Sequence, residues 1–486
     1  MNLFLSIFFL FSSVFTLATA YWLESINLYV IAVLLIYCSS VTYCLIDLRR
    51  RFVYLLFLFT FFVFLLGGYF VQFLGGGEWW STFYDGVLES SFSIEVIIKT
   101  MFLLYISLAC LLMGSWFSER IKIQFVFSKN ASQTENYDMK IAIRKISSIL
   151  FFITYLGALI NNIYKIIFIK NTSYLSYYTN YSGISILEIM SAINDVVFFL
   201  YLATMPPKKK TSIYLILFLV GKLMTILTGA RSAAVISVLI VIFYMYFREI
   251  NKNKLNLNEK WFTKKMILSG IAIMPIAIVV LKLVSIIRAG QAISNTSFWD
   301  LFVSFFQTQG GSVHLISHAM EYKDKFPSTN ISYVFGPVIN LLKSNTLTEI
   351  FFTTPFYGGN TESAALFGNS FSKTISYLIM PYNYYGGMGM GSSYIAELMT
   401  DFGIIGVIVF NILLGFIFNR YSILQEYKVW KFAILLLILN SLFAISRAST
   451  LDWVVLIFKD TTIISIGLVY ALSYFLYKRS TRGVKE

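Results

Sequence analysis

Apolar residues run along this chain in blocks of nearly constant length, separated by short polar breaks. A bilayer-crossing helix needs about 20 mostly apolar residues. The hydropathy pattern predicts twelve such helices, at roughly 3–22, 27–47, 52–74, 94–117, 147–169, 184–205, 212–229, 232–248, 266–287, 395–419, 430–446 and 452–476. One long stretch, from Arg288 to about Tyr394, breaks the pattern. Within it WDLFVSFFQTQGGSVHLISHAMEY reads as an amphipathic or re-entrant helix near the membrane surface, and ISYVFGPVINLLK as a second such piece. Pro355, Pro381 and the glycines at 358–359 and 386–391 make the remainder rich in turns. The expected fold is an all-α polytopic integral membrane protein. Residues 1–287 form nine spans, 288–394 a large external loop carrying short amphipathic helices, and 395–486 three more spans and a tail. There is no internal repeat.

Composition agrees. Of 486 residues 58% are hydrophobic, 18% aromatic and 13% charged, against about 25% charged in a soluble protein. The net charge of +14 would in a soluble protein suggest nucleic acid, but here it has another origin. Arg49–Arg51, the cluster Arg120 to Lys145, Lys208–Lys210, the cluster Arg248 to Lys265, the group Arg420, Lys428 and Lys431, and the tail residues Lys478 to Lys485 hold most of the basic residues. All fall on one side of a twelve-span chain. The positive-inside rule makes that side, with both termini, cytoplasmic, and no nucleic-acid partner is expected. The opposite face takes the acidic, aromatic stretch near 75–93, with Trp79 and Trp80, the segment 170–183 and the long loop. Cys38, Cys44 and Cys110 fall inside predicted spans, so no disulfide framework is available outside the membrane. Asn2 to Trp22 could be mistaken for a signal peptide with Ala18 and Ala20 near a cleavage site. An uncleaved first span fits the charge count better.

The candidate chemistry lies at the loop's edges. Arg231, Arg288 and Arg447 sit at outer helix ends, against the charge bias. A cation there snorkels, pairs with an acid, or binds an anion; three at one face favour an anion, since arginine's planar fork suits phosphate oxygens. Asp452, five residues after Arg447, is either its structural partner, a helix cap or a functional acid. Glu397 and Asp401 stand one turn apart at the start of the tenth span. They read as charges favoured by a helix N-terminus or as functional carboxylates entering the membrane. His314 and His318 are the chain's two histidines, one turn apart, with Glu321 within a turn of His318. Surface polar contacts, a sugar contact and a general base are all open; the spacing lacks the glutamate of a zinc-protease helix, so no metal is expected. Tyr384, Tyr385 and Tyr394, in NYYGGMGMGSSY, read as belt residues or as platforms for sugar rings. Lys222 and Lys282 lie inside spans and either snorkel or counter a buried acid such as Asp195.

Four segments resemble the Wzy-type oligosaccharide repeat-unit polymerases of O-antigen, capsule and enterobacterial common antigen. LTGARSAAVISVLIVIFYMYF resembles the family span that opens with a Gly–x–Arg turn. LKLVSIIRAG resembles the next span, ending in an arginine before the long external loop. GSSYIAELMTDFGIIGVIVFNILLGFIF resembles the segment that closes that loop. AISRASTLDW resembles a turn with an arginine followed by an aspartate, although it lacks the Arg–Glu–Gly run of some members. The resemblance covers about 140–476. It implies a GT-C-like membrane glycosyltransferase architecture in a bacterial inner membrane. It also implies a polymerase that moves a growing glycan from undecaprenyl pyrophosphate onto a lipid-linked repeat unit, with a flippase and a chain-length regulator as partners and no cofactor. Arg231, Arg288 and Arg447 carry over as the residues that stabilise charge on the leaving pyrophosphate. A carboxylate, histidine or tyrosine would serve as base, with the candidates ranked Glu397, Asp401, Asp452, His318. His314, Glu321 and the three tyrosines are expected to touch sugars. An O-antigen ligase and a flippase of the same lipid-linked oligosaccharide are the competing readings; the absence of two pseudo-repeated halves argues against the flippase.

Overall fold

Backbone N–H and C=O groups find no water in hydrocarbon and must be satisfied within each segment, so apolar runs of this length fold as helices. The computed structural model describes residues 2–76, 83–84, 89–121, 137–172, 177, 180–229, 231–253, 259–288, 297–329, 332–344, 348–351, 355–420 and 428–482. The long helices before the loop are α1 (Asn2–Leu23), α2 (Ile26–Ile46), α3 (Leu48–Gly75), α4 (Ile94–Arg120), α5 (Tyr137–Asn171), α6 (Ser185–Ala203), α7 (Lys208–Leu227), α8 (Arg231–Ile250) and α9 (Lys264–Arg288). The loop region holds α10 (Phe298–Gly310), α11 (His314–Glu321), α12 (Gly336–Ser344), α13 (Glu362–Leu366), α14 (Phe371–Ile379) and α15 (Pro381–Tyr385). After it come α16 (Tyr394–Arg420), α17 (Val429–Leu442), α18 (Asp452–Phe458) and α19 (Asp460–Arg482). Among the described residues twelve helices are long and apolar enough to cross a membrane, as the hydropathy pattern predicts. The only strands described are β1 (Phe83–Tyr84) and β2 (Glu89–Ser90), an antiparallel pair.

Two elements depart from the sequence reading. The last expected span, 452–476, is two helices: Lys459 takes an extended conformation between α18 and α19. The Lys459–Asp460 charge pair explains the break, because two ions cannot sit cheaply in mid-bilayer; the spanning stretch therefore starts at Asp460. The expected surface helix near 299–322 is also divided. It turns through a 3-10 segment at Gly311–Val313 and, instead of lying on the membrane surface, packs inward.

Its first half, α10, starts with a capping box: Ser297 Oγ accepts from Asp300 N, and Asp300 Oδ2 accepts from Ser297 N. The helix then docks on α3 and α9, where Phe305 and Phe306 join Val63, Phe64, Val71 and Ile278 in a small apolar core. The end of α10 crosses α3 backbone against backbone. A methyl group on Gly310 would lie 2.5 Å from Gly68 N. Just before this crossing α3 loosens into a π-helical turn, Phe62–Leu66, a feature common at functional sites. The second half, α11, is buried against α4 and α16.

The opposite end of the bundle is pinned by arginines. Arg51, buried, donates to both oxygens of Glu119 at 2.8 and 2.9 Å. Asn419 of α16 donates to Ser115 O at 2.8 Å, and Arg420 donates to Ser118 O at 2.8 Å. Arg248, also buried, pairs with Glu259 at 2.6 Å and donates to Pro206 O and Thr211 Oγ1 at 2.9 Å. Arg144 donates to Thr204 O at 2.7 Å, past the last turn of α6. Residues of the basic clusters thus lock the helices together. Inside the bundle Lys222 of α7 meets Asp195 of α6 at 2.6 Å, one of the two alternatives the sequence left open for it.

Candidate active site

The turn between α17 and α18, Ala444–Asp452, meets the start of α16 and the end of α10. Glu397, in the first turn of α16, is fully buried. Its Oε2 accepts from Thr450 N and Thr450 Oγ1, both at 2.8 Å, and its Oε1 from Ser392 Oγ at 2.7 Å. Three donors supply what a buried carboxylate needs in place of water. Three residues before Thr450, Arg447 ends a 3-10 turn. Its Nη1 donates to Gln309 Oε1 at 2.8 Å, and its guanidinium lies 5.8 Å from the centroid of the Phe64 ring on the π turn of α3. Asp452 Oδ2 accepts from Ser449 N at 3.2 Å, closing the same turn. Burial lifts the Asp452 carboxyl above its ordinary range, while the Ser449 N–H and Lys459 pull it back. One turn of chain thus holds an arginine, a carboxylate and the clamp that fixes them.

The other expected residues fall elsewhere. Asp401 Oδ2 accepts from Ser332 Oγ at 2.6 Å and from Tyr333 N and Val334 N at 2.8 Å, so it tethers the approach to α12. Although one turn from Glu397, it serves a different segment. Gly403 follows with φ +62°, a conformation open to glycine, and kinks α16. His314 and His318 are not surface residues. Both are 4% exposed, with the Phe92 ring 5.9 Å from His314 and 4.7 Å from His318. Ser90 of β2 lies 3.3 Å from His318 Nε2, and Glu321 Oε2 lies 3.8 Å from His318 Nδ1. Burial pushes His314 down to about 3, with His318 adding to the effect, and pushes His318 down to about 4. Burial outweighs the partly exposed Glu321, so both rings are neutral near pH 7. Among the described residues no group of three or more His, Cys, Asp or Glu is placed to hold a metal.

Two of the three tyrosines offer no ring face for stacking. Tyr394 is enclosed and donates to Asn411 Oδ1 at 2.8 Å. Tyr384 is enclosed and donates to Thr361 O at 3.0 Å. Tyr385 is 51% exposed and is the one of the three with an accessible ring. Arg231 starts α8 just after Gly229, and Arg288 is the last residue of α9; both side chains lie outside the described residues, as do Trp79 and Trp80. Sequence reasoning missed Gln309, Ser392 and Thr450. The run Gln307–Thr308–Gln309 before Gly310, a polar end to a helix that is otherwise mostly apolar, was the available signal. Nothing local marks Ser392 or Thr450.

These features define a multi-pass, all-α membrane protein with a polar site at the end of its bundle where the long loop packs. The chain belongs to the O-antigen polysaccharide polymerase Wzy family, whose model matches residues 2–480. It is thus a glycosyltransferase-type polymerase of a bacterial membrane, acting on lipid-linked oligosaccharide repeat units. No curated protein and no solved structure matches the chain significantly. The family match bears out the resemblance drawn from the four sequence segments.

Proposed function

We propose that this polymerase uses undecaprenyl-pyrophosphate-linked substrates, with its loop end at the outer face of the inner membrane and both termini in the cytoplasm. The growing glycan is the donor. A hydroxyl of a single lipid-linked repeat attacks the anomeric carbon at the donor's reducing end, and undecaprenyl pyrophosphate leaves with the bonding electrons. The observation that carries this reading is the fixing of Arg447 between Gln309 and Phe64 on the turn that Glu397 clamps. A prepositioned guanidinium stabilises the charge that grows on the leaving pyrophosphate. Arg231 and Arg288, at the same helix ends as the loop, fit the same anion.

The acceptor's proton goes to Asp452. Glu397 and Asp401 each already accept three hydrogen bonds, and His318 is enclosed below β2. Asp452 accepts one backbone N–H and sits on the Arg447 turn. Its raised proton affinity suits a general base better than an ordinary carboxylate. Glu397 and Asp401 then position their segments. Tyr385 supplies a ring for sugar contact. A flippase that delivers repeats and a chain-length regulator complete the assembly.

Purified protein in lipid nanodiscs, given a synthetic undecaprenyl-pyrophosphate-linked repeat and no nucleotide, should release undecaprenyl pyrophosphate and lengthen the glycan. Transfer to lipid A core instead would make it a ligase. Asp452→Asn should lower turnover at least a hundredfold while the donor still binds; wild-type turnover by this variant would remove Asp452 from the mechanism.

A further inference from the structure

We infer that Gln309 and Arg447 act as one oxyanion-binding pair, with Gln309 Nε2 as the second donor to a phosphate oxygen of the lipid-linked substrate. This inference rests on the polymerase reading above. Gln309 is 3% exposed, in the last turn of α10. Its carboxamide orientation follows from its neighbour. A guanidinium has only donors to offer, so the atom 2.8 Å from Arg447 Nη1 is the carbonyl oxygen Oε1. The amide nitrogen is therefore the branch of the carboxamide that the arginine leaves unused. Among the described residues Nε2 has no hydrogen-bond partner, although it is buried.

A buried donor with no acceptor is costly, and a helix lined by phenylalanine would tolerate leucine or methionine at this position. What the glutamine adds is a carbonyl that holds the guanidinium and an N–H beside it. Two adjacent donors of this kind, one of them charged, suit an oxygen that accepts from both, and phosphate supplies it. The scaffold fixes the pair from two sides. Gly310, the next residue, is wedged against Gly68, and Phe64 of the π turn lies under the guanidinium. Gln309 also ties the loop to the chemistry, because it rides on the loop's first helix while Arg447 rides on the turn before α18.

The test compares Gln309→Met, Gln309→Glu and wild type, in nanodiscs, for binding of undecaprenyl pyrophosphate and for polymerisation. Methionine removes both polar atoms at similar volume. Glutamate keeps an acceptor for Arg447 but replaces the N–H with an anionic oxygen. The expected result is a tenfold or greater loss of undecaprenyl pyrophosphate affinity in both variants, with the thermal midpoint of each near wild type. Binding of undecaprenol, which has no phosphate, should not change. A glutamate variant with wild-type affinity and turnover would overturn the donor role and leave Gln309 only holding Arg447. Two wild-type variants would overturn the inference entirely while the polymerase reading stands. If the wild type itself fails to bind undecaprenyl pyrophosphate, the polymerase reading falls first.

Discussion

Thr450 gives both its backbone N–H and its hydroxyl to one oxygen of Glu397, at 2.8 Å each, across 53 residues of sequence. The pair ties the first turn of α16 to the turn that carries Arg447. It gives the buried carboxylate an anchoring task. Glu397→Gln should keep both Thr450 bonds through its carbonyl oxygen, because the Ser392 hydroxyl can rotate to accept from the new amide. Its polymerising activity should stay within about tenfold of wild type. Glu397→Ala leaves the Thr450 amide without a partner and should cost about 1–3 kcal/mol, with activity lost in glycan-ladder gels. A glutamine variant that is inactive at unchanged thermal stability would make Glu397 the base.

Asp401 should behave differently. Asp401→Ala removes the acceptor of Ser332, Tyr333 and Val334 together. Proteolysis near 332–335 should speed up markedly, and stability should fall by about 1–3 kcal/mol. The sequence pairs the two acids at helical spacing, but their effects should separate by location.

The crossing of α10 over α3 makes a contrast between two glycines. A methyl group at 310 meets Gly68 N at 2.5 Å, whereas one at 68 meets Gly310 Cα at 3.4 Å. Gly310→Ala should therefore cost about 1–3 kcal/mol by overpacking and reduce polymerisation, by moving Gln309 away from Arg447. Gly68→Ala should be much milder in the same assays.

The buried histidines set a stability limit on the acid side. Their folded proton affinities are depressed to about 3 and about 4, while an unfolded histidine titrates near 6.5. Above about pH 6.5 neither state is protonated and nothing is lost. As pH falls from there towards 4 the unfolded chain gains protons first, so stability declines, with a slope approaching about 1.4 kcal/mol per pH unit for each ring. Thermal midpoints measured from pH 8 to 5 should fall in the wild type and flatten in a His314→Gln/His318→Gln variant.

Within the bundle, Lys222→Met or Asp195→Leu alone should destabilise by on the order of 2 kcal/mol, because each leaves one unpaired charge among α5, α6 and α7. The double variant should recover much of that loss. A double-mutant cycle on thermal or denaturant unfolding measures the coupling.

The spans were legible because hydropathy and the bilayer's demand for internal hydrogen bonds act over whole segments. The last span starts later than hydropathy alone predicts, because an apolar window averages over the Lys459–Asp460 pair. The site was half legible. Arg447, Glu397 and Asp452 show as charges at helix ends, where a membrane makes charge conspicuous. Gln309, Ser392 and Thr450 are neutral, and their roles come from contacts across the fold that no local pattern encodes. The histidine spacing was visible but their burial was not, because the covering residues Phe92 and Ser90 lie more than 200 positions earlier.

The kink at Gly403 divides α16 between two masters. Its first turns are bonded to the segments at 332–334 and 450, while its far end is bonded to Ser115 on α4. The first turns of α16 therefore move with the 332–334 segment that Asp401 holds, and remain tied to the turn at Thr450. A chimera with a related polymerase should tolerate a junction at Gly403 better than one at Tyr394, where the exchange would cut Asp401 away from the 332–334 segment it holds, provided that residue 450 keeps its bonds to Glu397.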